Sequence, residues 1–345
     1  MASNVFYFIS SQGNIKTLDS FEEALKYRDE DGYLWLSYYR PSIEELMVLE
    51  GSFGINKLTI EDCLDEEQLP KVDDNKNYSH VIFNNFSYNE RVFSVDEKHL
   101  IIGDKFLITV LNHKNDSDEN FIKEFFNLFE LYINDVKRGP AFGLHILIDY
   151  LVDQKFVGLE WISEELLDLE NGLLEESIEV DPNKIQKIRR DLNIIRKSVF
   201  FERESLLKII RGDISFIPEE ALIHYRDVYD HLNKYFGMIE GNREMEVNLI
   251  NINLAIINNK MALSSNQTNK AVRRLTLITT IFMPLTLIVG FFGMSEYTMM
   301  TQKYTWQIAY PILVVIMIII GASSLSLIKW LGRNDIIGKK ECKTK

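Results

Sequence analysis

Cysteine is nearly absent from this chain: two residues in 345, Cys63 and Cys342. They lie far apart, and neither flanks a His or Cys at zinc-finger spacing. A disulfide framework is therefore excluded, and both read as free thiols of a reducing compartment. The opening MASNVFYFISSQG lacks the basic n-region and apolar h-region of a secretory signal, so none is expected. There is no P-loop, no dinucleotide fingerprint and no HExxH. The six histidines, at 80, 99, 113, 145, 224 and 231, are mostly isolated and read as structural rather than catalytic. No enzyme activity is expected. Proline is sparse, with none between Pro218 and Pro284, so nothing there interrupts a long helix.

Acids outnumber bases over most of the chain. Residues 269–345 hold ten Lys+Arg against three acids, a balance of +7, which leaves −20 of the net −13 on the first 268 residues. Nucleic acid is excluded as a partner, because phosphate binding needs a basic patch. An acidic body suits a protein that attracts cations, although a solvated acidic surface is the plainer reading of charge alone.

Charge of either sign is absent from two runs, Leu275–Phe292 with 18 residues and Ile308–Ile328 with 21. At about 1.5 Å per residue they reach roughly 27 and 31 Å, close to a bilayer core of about 30 Å. They read as a membrane helical hairpin. Lys270, Arg273 and Arg274 precede the first run, and Lys329, Arg333, Lys339 and Lys340 follow the second; the connection has only Lys303. By the positive-inside rule both termini are expected in the cytoplasm. Tyr297, Tyr304, Trp306 and Tyr310 then fall at the outer interface and Trp330 at the inner one.

What is present before the spans is an α+β pattern. NVFYFIS, GYLWLSYY, HVIFNNFSY and RVFSVDEKHLIIGDKFLITVLNH are β-rich, and SIEELMVLEGSFG reads as a helix ended by glycine. A mixed sheet is expected. From about Asp118 the pattern turns helical. Two long amphipathic helices meet at IEVDPN, with Asp181 as N-cap and Pro182 at N1. A third, Glu219–Phe292, would span about 110 Å and run from cytoplasm into membrane. A helix of that length needs partners, which implies self-assembly.

Along this helix Asn269, Val272, Thr276, Thr279, Met283, Thr286, Gly290 and Gly293 recur in steps of three and four, a heptad stripe. Leu275 lies at its edge, and Leu277, Ile281, Leu285 and Ile288 occupy the opposite face. Two readings stand: a pore lined by hydroxyls and small residues, or plain helix packing, where threonine and glycine also gather. The stripe has no acid or base, so a side-chain proton relay is unsupported. Without thiolate or imidazole, a soft-metal site inside it is disfavoured.

TLITTIFMPLTLIVGFFGMSEY followed by a second span is very similar to the membrane region of the CorA family of magnesium transporters. GYLWLSYYRPSIEELMVLEGSFGINKLTIEDCLDEEQLPKVDD resembles that family's N-terminal domain, and YRDVYDH, Tyr225 to His231, the start of its stalk helix. The resemblance implies an α+β cytoplasmic domain, a long stalk helix and two transmembrane helices in a funnel-shaped homopentamer. The expected organisation is an N-terminal α/β domain over 1–117 and a helical region over 118–217. The stalk helix over 218–292 enters the membrane at about 272. A loop over 293–306, a second span over 307–331 and a basic tail over 332–345 complete it.

The implied function is channel-type uptake of Mg²⁺, with Co²⁺ or Ni²⁺ as further cargo, down the potential across the cell membrane. Cytoplasmic Mg²⁺ bound between subunits would close it, so Mg²⁺ is both cargo and regulator. The implied pore-lining positions are Asn269, Val272, Leu275, Thr276, Thr279, Met283, Thr286 and Gly290, with Val272, Leu275 and Met283 as apolar rings that gate by dewetting. Asp227 is the implied regulatory ligand, and the acidic run Glu61, Asp62, Asp65, Glu66 and Glu67 is either a contributor or a solvated surface.

Gly293, Met294 and Ser295 occupy the filter position, where the family has Gly-Met-Asn. A hydroxyl is shorter than an amide and both donates and accepts. Three outcomes follow: Mg²⁺ still passes, the pore is retuned to another cation, or the scaffold works as a ligand-gated effector with little Mg²⁺ uptake. Glu296 keeps negative charge at the mouth. A cytoplasmic sensor anchored by a hairpin is the rival outside transport.

Overall fold

The computed structural model describes residues 4–65, 68–89, 92–111, 117–175, 181–293, 311–312 and 314–326. Two compact units divide the chain, residues 1–253 and 254–345.

The first unit contains β1 (Val5–Ser10), β2 (Ile15–Leu18), α1 (Phe21–Lys26), β3 (Gly32–Tyr39), α2 (Ile43–Phe53), α3 (Lys57–Leu64), β4 (Lys71–Asp74), β5 (Ser79–Asn89), β6 (Val92–Gly103) and β7 (Phe106–Leu111). After them come α4 (Ser117–Leu131), α5 (Ile133–Val136), α6 (Pro140–Leu174), α7 (Pro182–Ile210) and the start of α8 (Leu222–Phe292). One seven-stranded sheet forms in the order β2-β1-β3-β7-β6-β5-β4. It is mixed, as expected, because β3 and β7 pair in parallel while the other neighbours are antiparallel. The long β-rich run ending at His113 splits into β6 and β7 at a tight turn through Asp104 and Lys105.

The central strands are covered on both faces, so β3 and β7 read as nearly unbroken apolar runs. Leu34, Leu36 and Tyr38 point into a cluster with Leu46, Leu49, Phe53, Ile60 and Cys63 from α2 and α3. Trp35 faces the other way and meets Phe129 of α4 at 4.5 Å between ring centroids.

Local chemistry fixes the helix ends. Ser42 and Glu45 form a reciprocal capping box at the start of α2, which satisfies two otherwise orphaned amides. Gly54 closes that helix in the left-handed conformation, φ 70°, which side-chain-bearing residues rarely adopt. Asp181 caps α7 through the Asn183 amide, with Pro182 in the first turn. Pro218 opens a 3₁₀ turn, Glu219–Ala221, before α8 begins at Leu222.

α6, α7 and α8 pack side by side. Contacts Tyr225–Ala141, Tyr235–Asp153 and Asn242–Ser163 advance together along both chains, so α6 and α8 run parallel. Lys184–Glu165 and Lys155–Glu202 advance oppositely, which makes α7 antiparallel to α6. In the second unit the described residues hold the rest of α8 and a shorter apolar helix, α9 (Val314–Ser326).

Candidate functional site

Two helical turns of α6 and two of α8 carry the charged groups of interest. Asp149 and Asp153 are one turn apart on α6, as Asp227 and His231 are on α8, so each pair shares a face. Asp149, Asp153 and His231 can each offer a donor atom with all three within 4.8 Å of one another. His231 Nδ1 lies 4.0 Å from Asp153 Oδ1 and accepts or donates no hydrogen bond. Tyr235 OH donates to the same Asp153 oxygen at 3.5 Å.

The electrostatics suit a cation. Burial, reinforced by Asp153 and Asp227 and opposed by His231, pushes the Asp149 carboxyl up to about 6. One turn earlier, burial and His224 hold His145 down to about 4, with Asp227 and Asp135 opposing. Partly desolvated carboxylates crowded together favour either a proton or a metal ion. Oxygen donors suit hard divalent ions, and the one imidazole also admits Co²⁺ or Mn²⁺.

Binding at this site should therefore compete with a proton. The expected result is full affinity for a divalent ion above about pH 7, falling toward tenfold per pH unit below about 6. Titration with Mn²⁺ across that range measures it, and a flat profile would remove Asp149 from the ligand set. Stability has the opposite sign. The fold holds this proton more tightly than the unfolded chain, so the contribution is full below roughly pH 4 and lost as pH rises through about 6.

Sequence reasoning named Asp227, which is exposed and acts on Asp149 through charge, without joining the three converging donors. It missed Asp149, Asp153 and His231. From sequence alone His231 reads as structural, although it lies inside YRDVYDH one turn beyond Asp227. Two members of the acidic run at the end of α3 are partnered: Asp62 pairs with Lys71 at 2.7 Å and Asp65 accepts from Gln68 at 2.9 Å. Glu61 is exposed, and Glu66 and Glu67 lie outside the described residues.

The stripe on α8 is open. Asn269, Val272, Leu275, Thr276, Thr279, Met283, Thr286 and Gly290 are all exposed, Met283 at 71% and Leu275 at 65%. Leu277, Ile281, Leu285 and Ile288 on the opposite face are partly covered, as are Met317, Ile320, Gly321 and Ser324 of α9. Thr276, Thr279, Thr280 and Thr286 donate their hydroxyl protons to Val272, Leu275, Thr276 and Phe282 carbonyls, one turn back, at 2.7–2.9 Å. α8 is, among the described residues, the one helix long and apolar enough to cross a membrane. Gly293 ends it by donating to the Val289 carbonyl at 2.9 Å, and a Cβ there would stand 3.2 Å from that oxygen. Met294, Ser295 and the aromatic residues placed at the outer interface lie outside the described residues, as does Trp330.

Comparison with known proteins gives one answer. The chain is 29% identical over 317 residues to the cobalt/magnesium transport protein CorA of Thermotoga maritima, covering 91% of this chain and 87% of that one. It is 24% identical over 295 residues to the protein of the same name from Methanocaldococcus jannaschii, covering 83% and 88%. Among solved structures, the complete CorA magnesium transporter of M. jannaschii matches with a TM-score of 0.68 at 22% identity, over 95% of this chain and 97% of that one. The full-length CmaX protein matches with a TM-score of 0.67 at 17% identity, over 86% and 88%. The family model described as CorA-like Mg²⁺ transporter protein matches residues 30–330, and the chain belongs to that family.

Proposed function

We propose that this chain is a channel-type Mg²⁺ transporter of the cell membrane, assembled as a homopentamer around the α8 stripe and closed by divalent cations bound on the cytoplasmic side. The observation that carries it is the continuity of α8. One uninterrupted helix bears His231 and Asp227 near its start and the exposed stripe from Asn269 to Gly290 near its end. A single helix that carries both sets of residues gives an ion bound at the first a physical connection to the second.

The stripe argues for an assembly. A surface that presents Val272, Leu275 and Met283 to the outside needs lipid or further copies of the chain to cover it. Five such helices around one axis make rings that are apolar at Val272, Leu275 and Met283 and hydroxylic at Thr279 and Thr286. Apolar rings block ions by dewetting when narrow, while hydroxyls serve a hydrated cation when wide. Mg²⁺ sheds its water reluctantly, so a lining of neutral oxygen fits the hydrated ion. With the positive-inside arrangement, Asp149, Asp153 and His231 sense the cytoplasmic concentration of the ion that passes.

Ser295 supports a second reading, a pore retuned to another cation or working as a ligand-gated effector with little Mg²⁺ uptake. The two separate in liposomes loaded with a Mg²⁺-sensitive dye. The first predicts wild-type uptake that Thr286→Leu reduces at least tenfold, and stronger Mg²⁺ selectivity in Ser295→Asn. Uptake seen only in Ser295→Asn would favour the second. Unchanged flux in Thr286→Leu would turn the hairpin into a mere anchor.

A further inference from the structure

The N-terminal sheet buries a second group of metal-binding side chains. Cys63 of α3, His80 of β5 and His99 of β6 are each about 1% exposed, and their donor atoms lie within 4.8 Å of one another. His80 Nε2 stands 3.1 Å from His99 Nδ1 and 3.9 Å from Cys63 Sγ. Residues so distant in sequence defeat any spacing rule. The sheet brings two of them together: His99 is opposite Ile82 across the β5–β6 ladder, so His80 and His99 are diagonal neighbours on one face. Cys63 reaches that face from α3.

We propose that Cys63, His80 and His99 form a buried three-ligand binding site, its fourth position left to water, for a divalent transition-metal ion of the zinc class, separate from the Mg²⁺-handling parts of the chain. Thiolate plus two imidazoles is a donor set that selects zinc-class ions over Mg²⁺. Tetrahedral Zn²⁺ separates two nitrogens by about 3.3 Å and nitrogen from sulfur by about 3.6 Å, given bond lengths near 2.0 and 2.3 Å. The distances here depart from those values by less than about half an ångström. The thiol is near the outer limit of a hydrogen bond to His80, and a metal would draw it inward.

Protonation agrees with this. Burial drives His80 and His99 down to about 3, so both imidazoles are neutral and free to ligate at pH 7. Burial and the neighbouring Asp62 push the Cys63 thiol up, with Lys71 opposing. Loading is thus an exchange: the thiol proton leaves to solvent as the sulfur takes the metal. A ligating imidazole ordinarily directs its other nitrogen to a carboxylate. Glu97 Oε2 lies 3.9 Å from His99 Nε2, and Asp62 and Asp73 gather with His80 within 4.8 Å. Lys71 bridges these two aspartates at 2.7 and 3.1 Å, clasping α3 to β4, so entry of the ion requires that clasp to part.

Co²⁺ reports on the site, because only a thiolate ligand gives an intense near-ultraviolet charge-transfer band. Metal-stripped full-length protein in detergent should develop that band up to one Co²⁺ per chain and lose it on adding Zn²⁺. Cys63→Ser should abolish the band and His80→Gln weaken it, whereas Cys342→Ser should leave it intact. Zinc-loaded Cys342→Ser protein offers a readout without touching the site: X-ray absorption should show one sulfur at about 2.3 Å beside nitrogen at about 2.0 Å. No band at saturating Co²⁺, a band that survives Cys63→Ser, or a zinc shell of nitrogen and oxygen only would overturn the proposal.

Discussion

Glu202→Ala should destabilise the first unit by about 3–5 kcal/mol, the cost of breaking a buried ion pair, and lower its melting temperature by on the order of 10 °C. Lys155 and Glu202 have fully buried side chains and lie 3.3 Å apart. Burial pulls the Lys155 pKa down while Glu202 opposes it, so the pair exists only because each charge answers the other. Around it the polar groups are linked. Lys155 Nζ donates to the Asn84 and Leu151 carbonyls, Glu202 Oε1 accepts from the Asn84 amide at 3.0 Å, and Asn84 Nδ2 donates to Ser198 at 2.8 Å. Removing the carboxylate strands both a cation and the Asn84 N–H. Lys155→Met combined with Glu202→Leu removes both charges and should recover part of the loss, the remainder being the amide left without an acceptor. Thermal unfolding followed by circular dichroism compares the three proteins; a single variant within about 1 °C of wild type would show that water reaches the pair.

Asp149→Asn should have two effects of opposite sign, and that combination is diagnostic. Without divalent ions at pH 7.5 it should raise the melting temperature, because the wild-type carboxyl, pushed up to about 6, is there forced to ionise in a partly desolvated place. With Mg²⁺ present the wild type should gain stability and the variant should not. The same substitution, paired with Asp153→Asn, should raise the internal Mg²⁺ needed for half-inhibition of flux at least tenfold. A ligand shifts a closed–open equilibrium only by its differential affinity for the two states, and in the proposed gating that difference comes from these carboxylates. A double variant that still closes at the wild-type Mg²⁺ concentration would place the sensor elsewhere on the chain.

The long elements were legible in the sequence because many residues vote on each. α7, Pro182–Ile210 with Asp181 before it, carries both its cap and its period, and α8 meets no proline before Pro284, which lies inside it. Short elements were not legible. β4 is four residues, KVDD, with only Val72 buried, and β2 has four, α1 six and α3 eight, too short for any period to stand out. The metal donors failed for another reason. Asp149 and Asp153 are an ordinary pair of helix-surface acids until α8 lays His231 beside them, and that adjacency is tertiary. His80 and His99 likewise meet only through the strand register, and Cys63 reaches them from α3.

In the proposed pore, the threonines of α8 have a consequence for the sign of what they can serve. Each hydroxyl proton is committed to the carbonyl one turn back, so the oxygen has only lone pairs left to present. Water around a cation turns its hydrogens outward, and water around an anion turns its oxygen outward. A wall that can accept but not give therefore welcomes the first shell and offers nothing to the second. Such a wall discriminates between ions of opposite charge while carrying none itself.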